Sequence, residues 1–298
     1  MSRNLFNIIV VFLIFIFITA CVCNSDRFAN QTVPENNSNT VENKSNDEVK
    51  PKKTEEKEEI NGKEKDRGDF IVEHIDVKNP RYEDLDVQIR EAKTLEKAAV
   101  KLNNALILPN DIYLRTKDCG EINAFYDPTD SSVTVCYELM EHFFKVFKSN
   151  GDSDQLASQK MSEAVQFVFL HEIGHALIDT YKLPITANEE DAADRCSSYI
   201  NLEELGEDGV DAVLSAAEAF RIESQGKVPD KANLADEHLL QEQRFYNALC
   251  MLYGSNMQKY SDIVEKGFLP EARAVRCPGE YERTVESWKV LLKPWRKK

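Results

Sequence analysis

"FVFLHEIGHALIDTYKLP", residues 167–184, sets two histidines, a glutamate and an aspartate into an otherwise apolar run. Apolar residues on every side predict a buried helix. A buried helix tolerates His171, Glu172, His175 and Asp179 only where they find partners. One helical turn separates His171 from His175, so both imidazoles share a face and can converge on one cation. Glu172 follows the first histidine, placed to handle the proton of an activated water rather than to bind the metal; the spacing is HExxH. Asp179, eight residues beyond His171, is expected to reach a ring nitrogen or else to be solvated near the helix end. Gly174 costs a helix about 1 kcal/mol relative to alanine, which predicts close packing of another element against it.

A catalytic zinc needs a third protein ligand and an open fourth position. Pro184 ends the first helix, and "NEEDAADRCSSYI", residues 188–200, starts a second with Asn188 as N-cap. Glu189, Glu190 and Asp191 compete for the ligand role, although an acidic helix start is also favoured by the helix dipole alone. Only Glu190 has an acid four residues on. Glu190 is therefore read as the third ligand, and Asp194 as the residue that orients a zinc histidine from behind.

Outward from this core the chain changes character. It has 298 residues, is 42% hydrophobic and carries a formal charge of -15, which argues against nucleic acid as a partner. Residues 1–20 read as an export signal, with one early cation at Arg3 and an apolar core from Leu5 to Ile18. That core is shorter than the roughly 20 apolar residues of a membrane span. It ends in "ITAC", which resembles the bacterial lipobox, with Cys21 as the residue that becomes lipidated. Such an anchor places the protein on a membrane of the bacterial cell envelope, or secretes it if the lipobox is not used. Residues 21–68 are rich in Asn, Ser, Lys and Glu and read as a disordered polar linker. The folded domain is expected at residues 69–298.

Within it, "DFIVEHIDV" (69–77) alternates like a strand, and residues 82–106 have helical periodicity. "DIYLRTKDC" (111–119) and "SSVTVCYEL" (131–139) read as further strands, the second leading into a helix around "ELMEHFFKVFK". The rest is helical, so the fold class is α+β. No internal repeat, glycine-rich phosphate loop or Ser/His/Asp arrangement stands out. In an exported protein cysteines are expected to pair. Proximity suggests Cys119 with Cys136 and Cys250 with Cys277, leaving Cys196 as a buried thiol, though spacing alone does not fix connectivity. Tyr246, Tyr253, Trp288 and Trp295 are read as packing aromatics, and "LLKPWRKK" as a solvated tail.

"HEIGHALID" followed by "EEDAAD" resembles the HExxHxxxD and ExxAD pair of the gluzincin metallopeptidases, the thermolysin and neprilysin group. "DEHLLQEQR" (236–244) is similar to the DxH segment and later arginine of the neprilysin family, and "INAFYDPTDSSVTV" (122–135) to its substrate strand. Taken whole, "NAFYDP…CYEL…HEIGHALID…EEDAAD…QRFYNALC" is similar to a bacterial metallopeptidase family of unknown function, over nearly all of residues 70–298. The resemblance implies a zincin-like fold: a small strand-bearing N-terminal half with an edge strand for substrate, then a largely helical half. It implies one zinc per chain, a peptide or protein substrate, and Glu172 as general base. Asn123 and Ala124 would pair with extended substrate. His238 would stabilise the oxyanion with Asp236 holding its ring, and Arg244 would bond a substrate carbonyl. The chain is far shorter than neprilysin-type enzymes, so a more open cleft is expected. A zinc-containing surface lipoprotein that binds or scaffolds without cleaving is the alternative.

Overall fold

Short alternating runs build a four-stranded sheet of β1 (Phe70–Val72), β2 (Ile112–Lys117), β3 (Ala124–Asp127) and β4 (Ser132–Cys136). The order is β1-β2-β4-β3, with β3 antiparallel at one edge and the other pairs parallel. In β2 the alternation buries Ile112, Leu114 and Thr116 and turns Tyr113, Arg115 and Lys117 the other way. On that outer face Arg115 and Lys117 lie over the rings of Tyr113 and Phe125. Thr134 sits between Arg115 and Phe125 in the register, which explains why β4 is buried at every position.

This computed structural model describes residues 66–186, 188–226 and 228–297; the export signal, Cys21 and residues 21–65 of the expected linker lie outside them. Residues 66–68, expected in the linker, belong to the fold: Gly68 N donates to Leu108 O and Asp66 pairs with Lys297. The strand expected over 69–77 is shorter, because the chain leaves the ladder after Glu73 for a turn at Pro80, a residue unable to donate to a ladder. The helical run over 82–106 is two helices, α1 (Glu83–Ala92) and α2 (Thr94–Ala105). Lys93 between them takes a left-handed φ of 53° and its N–H closes on Arg90.

The remainder is helical: α3 (Tyr137–Ser149), α4 (Asp154–Tyr181), α5 (Glu189–Tyr199), α6 (Glu207–Ser224), α7 (Lys231–Ala235), α8 (Gln241–Ser255), α9 (Asp262–Glu265), α10 (Glu271–Ala274) and α11 (Cys277–Leu292). The architecture is the α+β arrangement expected, a small sheet and a largely helical remainder, consistent with a zincin-like fold. Helix α4 is its axis. Ser153 caps its start, accepting from Leu156 N at 3.2 Å, and Lys182 ends it in the left-handed conformation. Its residues Ile173, Ala176 and Leu177 enter the core shared with the sheet, while Phe167 enters a second core among α6, α8 and α11. A helix buried on opposite sides must be apolar on opposite sides, which is what residues 167–178 show.

Cys119 is bonded to Cys136 and Cys250 to Cys277, and Cys196 is a free buried thiol whose pKa burial pushes up. The C-terminal residues, expected as a solvated tail, are docked: Trp295 stacks on Tyr181 with ring centroids 4.2 Å apart, and Arg296 pairs with Glu204. Stacking and backbone pairing of Trp295 with Ile107 outweigh the solvation of the basic residues around it. No described helix is long and apolar enough to cross a membrane.

Candidate metal centre

The side chain of Asn188 accepts from Glu190 N at 2.7 Å and starts α5, whose first two turns cross α4 at Gly174. A Cβ on Gly174 would lie 3.1 Å from Cys196 Cβ and 3.2 Å from Ala193 Cα. That close approach carries Glu190 and Asp194 to the histidine face of α4. The Nε2 atoms of His171 and His175 are 3.1 Å apart, and Glu190 Oε2 lies 3.1 Å from the first and 3.4 Å from the second. His171 and Glu172 are buried, the latter with Oε1 4.0 Å from His171 Nε2.

Both imidazoles are oriented from behind. His171 Nδ1 lies 2.8 Å from Asp194 Oδ1, and Arg244 clamps the same carboxylate through Nε at 2.8 Å and Nη2 at 2.7 Å. Phe220 lies beneath the guanidinium, its ring centroid 4.2 Å away. His175 Nδ1 lies 2.8 Å from Glu189 Oε1. Each Nδ1 can therefore donate to a carboxylate, which turns both Nε2 atoms toward one another and toward the Glu190 anion; in the metal-free protein Nε2 protons make those bonds to Glu190, and a bound cation would take their place. Two imidazole nitrogens and a carboxylate placed this close can hold one metal ion in place of those protons. Zinc bonds of about 2.0–2.1 Å to nitrogen and oxygen put tetrahedral ligand atoms about 3.3–3.4 Å apart. The observed spacings fit that donor set.

The charges follow from the contacts. Burial lowers the His171 imidazole, but its bonds to Asp194 and Glu190 outweigh this and push it up to about 9. Burial raises the Glu190 carboxyl, yet hydrogen bonds from three histidines hold it well below the usual carboxylate range. The same balance, with Arg244 as the main opposing charge, depresses Asp194. Glu172 is the exception: burial raises it, and the neighbouring histidines only partly offset that.

Further sequence candidates fall around this centre. His238 Nε2 lies 3.0 Å from Glu190 Oε2, and Asp236 accepts from its backbone N at 2.9 Å and lies 3.1 Å from its Nδ1. Arg244, expected to face substrate, has Nε and Nη2 committed to Asp194, because a buried guanidinium takes the buried carboxylate within reach. Asp179 meets neither histidine. Helical rotation over eight residues carries it away from the ring of His171, and it accepts from Tyr126 Oη at 2.8 Å and pairs with Lys182. Asn123 lies one residue before β3, its carbonyl accepting from Cys136 N at 3.1 Å. Antiparallel alternation then turns the backbone groups of Ala124 and Tyr126 away from β4, with Tyr126 N–H facing the Glu172 carboxylate. Among the described residues the only other donor cluster, Cys119, Cys136 and Glu138, is accounted for by the disulfide.

A family model described as "Putative metallopeptidase" matches residues 74–292, the span that holds every residue of this centre. The chain belongs to that family. No curated protein and no solved structure matches. Two residues of this metallopeptidase-family site escaped the sequence reading. Glu189 was weighed only as a ligand, although its place one residue before Glu190 could have marked it as a partner for the second histidine. Tyr126 carried no signal, since its contact with Asp179 joins elements 53 residues apart.

Proposed function

We propose that the protein is a zinc-dependent peptidase whose metal is held by His171, His175 and Glu190. The observation that carries this reading is the convergence of three oriented donors at tetrahedral spacing, with a buried carboxylate beside them. Zinc bound there would supply Lewis-acid polarisation and lower the pKa of water toward about 7. Glu172 takes the proton of the attacking water on its carboxylate and returns it to the leaving amine nitrogen. Burial raises its pKa in the metal-free protein, the direction that strengthens a carboxylate as a base. His238 donates from Nε2 to the substrate oxygen that gains charge, its ring held by Asp236. The outward groups of Ala124 and the outward carbonyl of Tyr126 receive an extended peptide as an added strand. Arg244 keeps Asp194, and through it His171, in place. The substrate class is a peptide or protein, and the lipobox-like Cys21 supports action at a membrane surface of the cell envelope.

The test is elemental analysis of the purified protein beside its His171→Ala and Glu190→Ala variants, followed by peptide-library cleavage. About one zinc per chain, lost in both variants, with cleavage by the parent protein, is expected. A parent that takes up no zinc, or that holds zinc and cleaves nothing across a broad library, overturns the reading.

A further inference from the structure

The two histidines are held unequally. His171 is fixed through Asp194 to Arg244 and so to three helices, and every side chain in that chain is mostly buried. Behind its metal-facing nitrogen, His175 is fixed by one contact, from Nδ1 to Glu189, whose side chain is 52% exposed. No lysine or arginine among the described residues pairs with Glu189. Its neighbour Glu190 is the candidate ligand, so one dipeptide at the start of α5 both binds the metal and orients another ligand's ring. Nothing in the packing of α5 needs the Glu189 side chain. Asn188 already caps the helix through its own side chain, and the buried residues of α5 start at Ala193.

We infer that Glu189 is a positioning residue for the metal: its exposed carboxylate fixes the His175 ring, strengthens that nitrogen as a ligand, and makes the His175 edge the side on which the metal exchanges. A carboxylate behind a metal-bound imidazole orients the ring and raises its basicity, and losing such a partner typically costs about 10- to 100-fold in metal affinity. Because this carboxylate faces solvent, its contribution is screened by salt, whereas that of the buried Asp194 is not. The inference rests on the zinc reading proposed above, and the experiment separates the two.

The full chain and its Glu189→Ala and Glu189→Gln variants are stripped of metal and titrated with zinc against a chromophoric chelator, at low and high salt. Release of zinc to excess chelator is timed for each. Glu189→Ala is expected to bind zinc about 10- to 100-fold more weakly and to release it faster. Glu189→Gln, which keeps an acceptor oxygen, falls between. The parent loses more affinity with salt than either variant, and the metal-free unfolding midpoints of all three coincide. Zinc binding in Glu189→Ala equal to that of the parent overturns this inference alone. So does a loss of affinity accompanied by an equal fall in metal-free stability, which would mark Glu189 as structural. A parent that binds no zinc overturns the zinc reading itself.

Discussion

The floor and the roof of the candidate cleft are built on opposite terms. The floor, His171 with Asp194 and Arg244, draws on α4, α5 and α8 and is buried and bonded on every side. The roof, residues 225–226 and 228–238 ending in His238, is exposed at each of these positions, with Val228 at 91% and Leu234 at 68%. Its ties to the site are few: Asn188 Nδ2 donates to Glu237 O at 2.6 Å, and His238 meets Glu190. The first candidate ligand, His171, and the groups behind it are thus also part of the folding core, while the group that would meet the substrate oxygen hangs from an exposed segment. Variants in the two regions should fail in different ways.

The largest effect is expected in the floor. Arg244→Ala removes the main countercharge of the buried Asp194 carboxylate and leaves it only its bond to His171, which costs about 3–5 kcal/mol and weakens the hold on that ring. Denaturant unfolding and zinc content should fall together. The same pair sets an acid limit. Asp194 has a depressed pKa in the folded state, so its contribution to stability is complete above the ordinary carboxylate value of about 4 and drains away as pH falls below it. In Asp194→Asn that acid-dependent part should vanish. An Arg244→Ala protein as stable as the parent would break the comparison at its strongest point.

Glu172→Gln belongs to neither failure. The buried carboxyl is raised in the metal-free protein, so its ionised form costs stability at neutral pH and the neutral amide removes that cost. The variant should keep its zinc, unfold in the metal-free state at a midpoint no lower than the parent's, and lose about 100- to 10,000-fold in turnover. Normal peptide cleavage by Glu172→Gln would remove the proposed base. Below it comes His238→Ala in the roof, with turnover expected to fall about 100- to 1,000-fold. Its unfolding free energy should stay within about 0.5 kcal/mol of the parent.

This division also decides what the sequence could tell. His171, Glu172, His175 and Glu190 are legible because one-turn spacing on a helix fixes which side chains share a face, and two adjacent helices supply all four. Gly174 announced the crossing of α5 for the same local reason. Asp179 went to Tyr126 rather than to a histidine because that contact joins α4 to β3, and no periodicity encodes a partner 53 residues away. Arg244 was recognised as part of the site, yet its commitment to Asp194 depends on how α8 packs under α5. Lys93, in the left-handed conformation between α1 and α2, is a lysine where such a break usually has glycine, so the periodic run gave no warning.

The smallest expected effect tests whether the roof is as independent of folding as its exposure implies. Val228 and Leu234 bury little surface, and hydrophobic stabilisation scales with the area removed from water, at roughly 25 cal/mol per Å². Replacing both, as Val228→Ser with Leu234→Ser, forfeits almost none of that area. The unfolding free energy should move by less than about 0.5 kcal/mol, in the range of ordinary surface changes. Zinc content should be unchanged, since neither side chain reaches the floor. A loss well beyond 1 kcal/mol in denaturant unfolding would mean that the segment packs on the body of the protein. His238 would then be held by the core as His171 is, and the contrast between floor and roof would no longer stand.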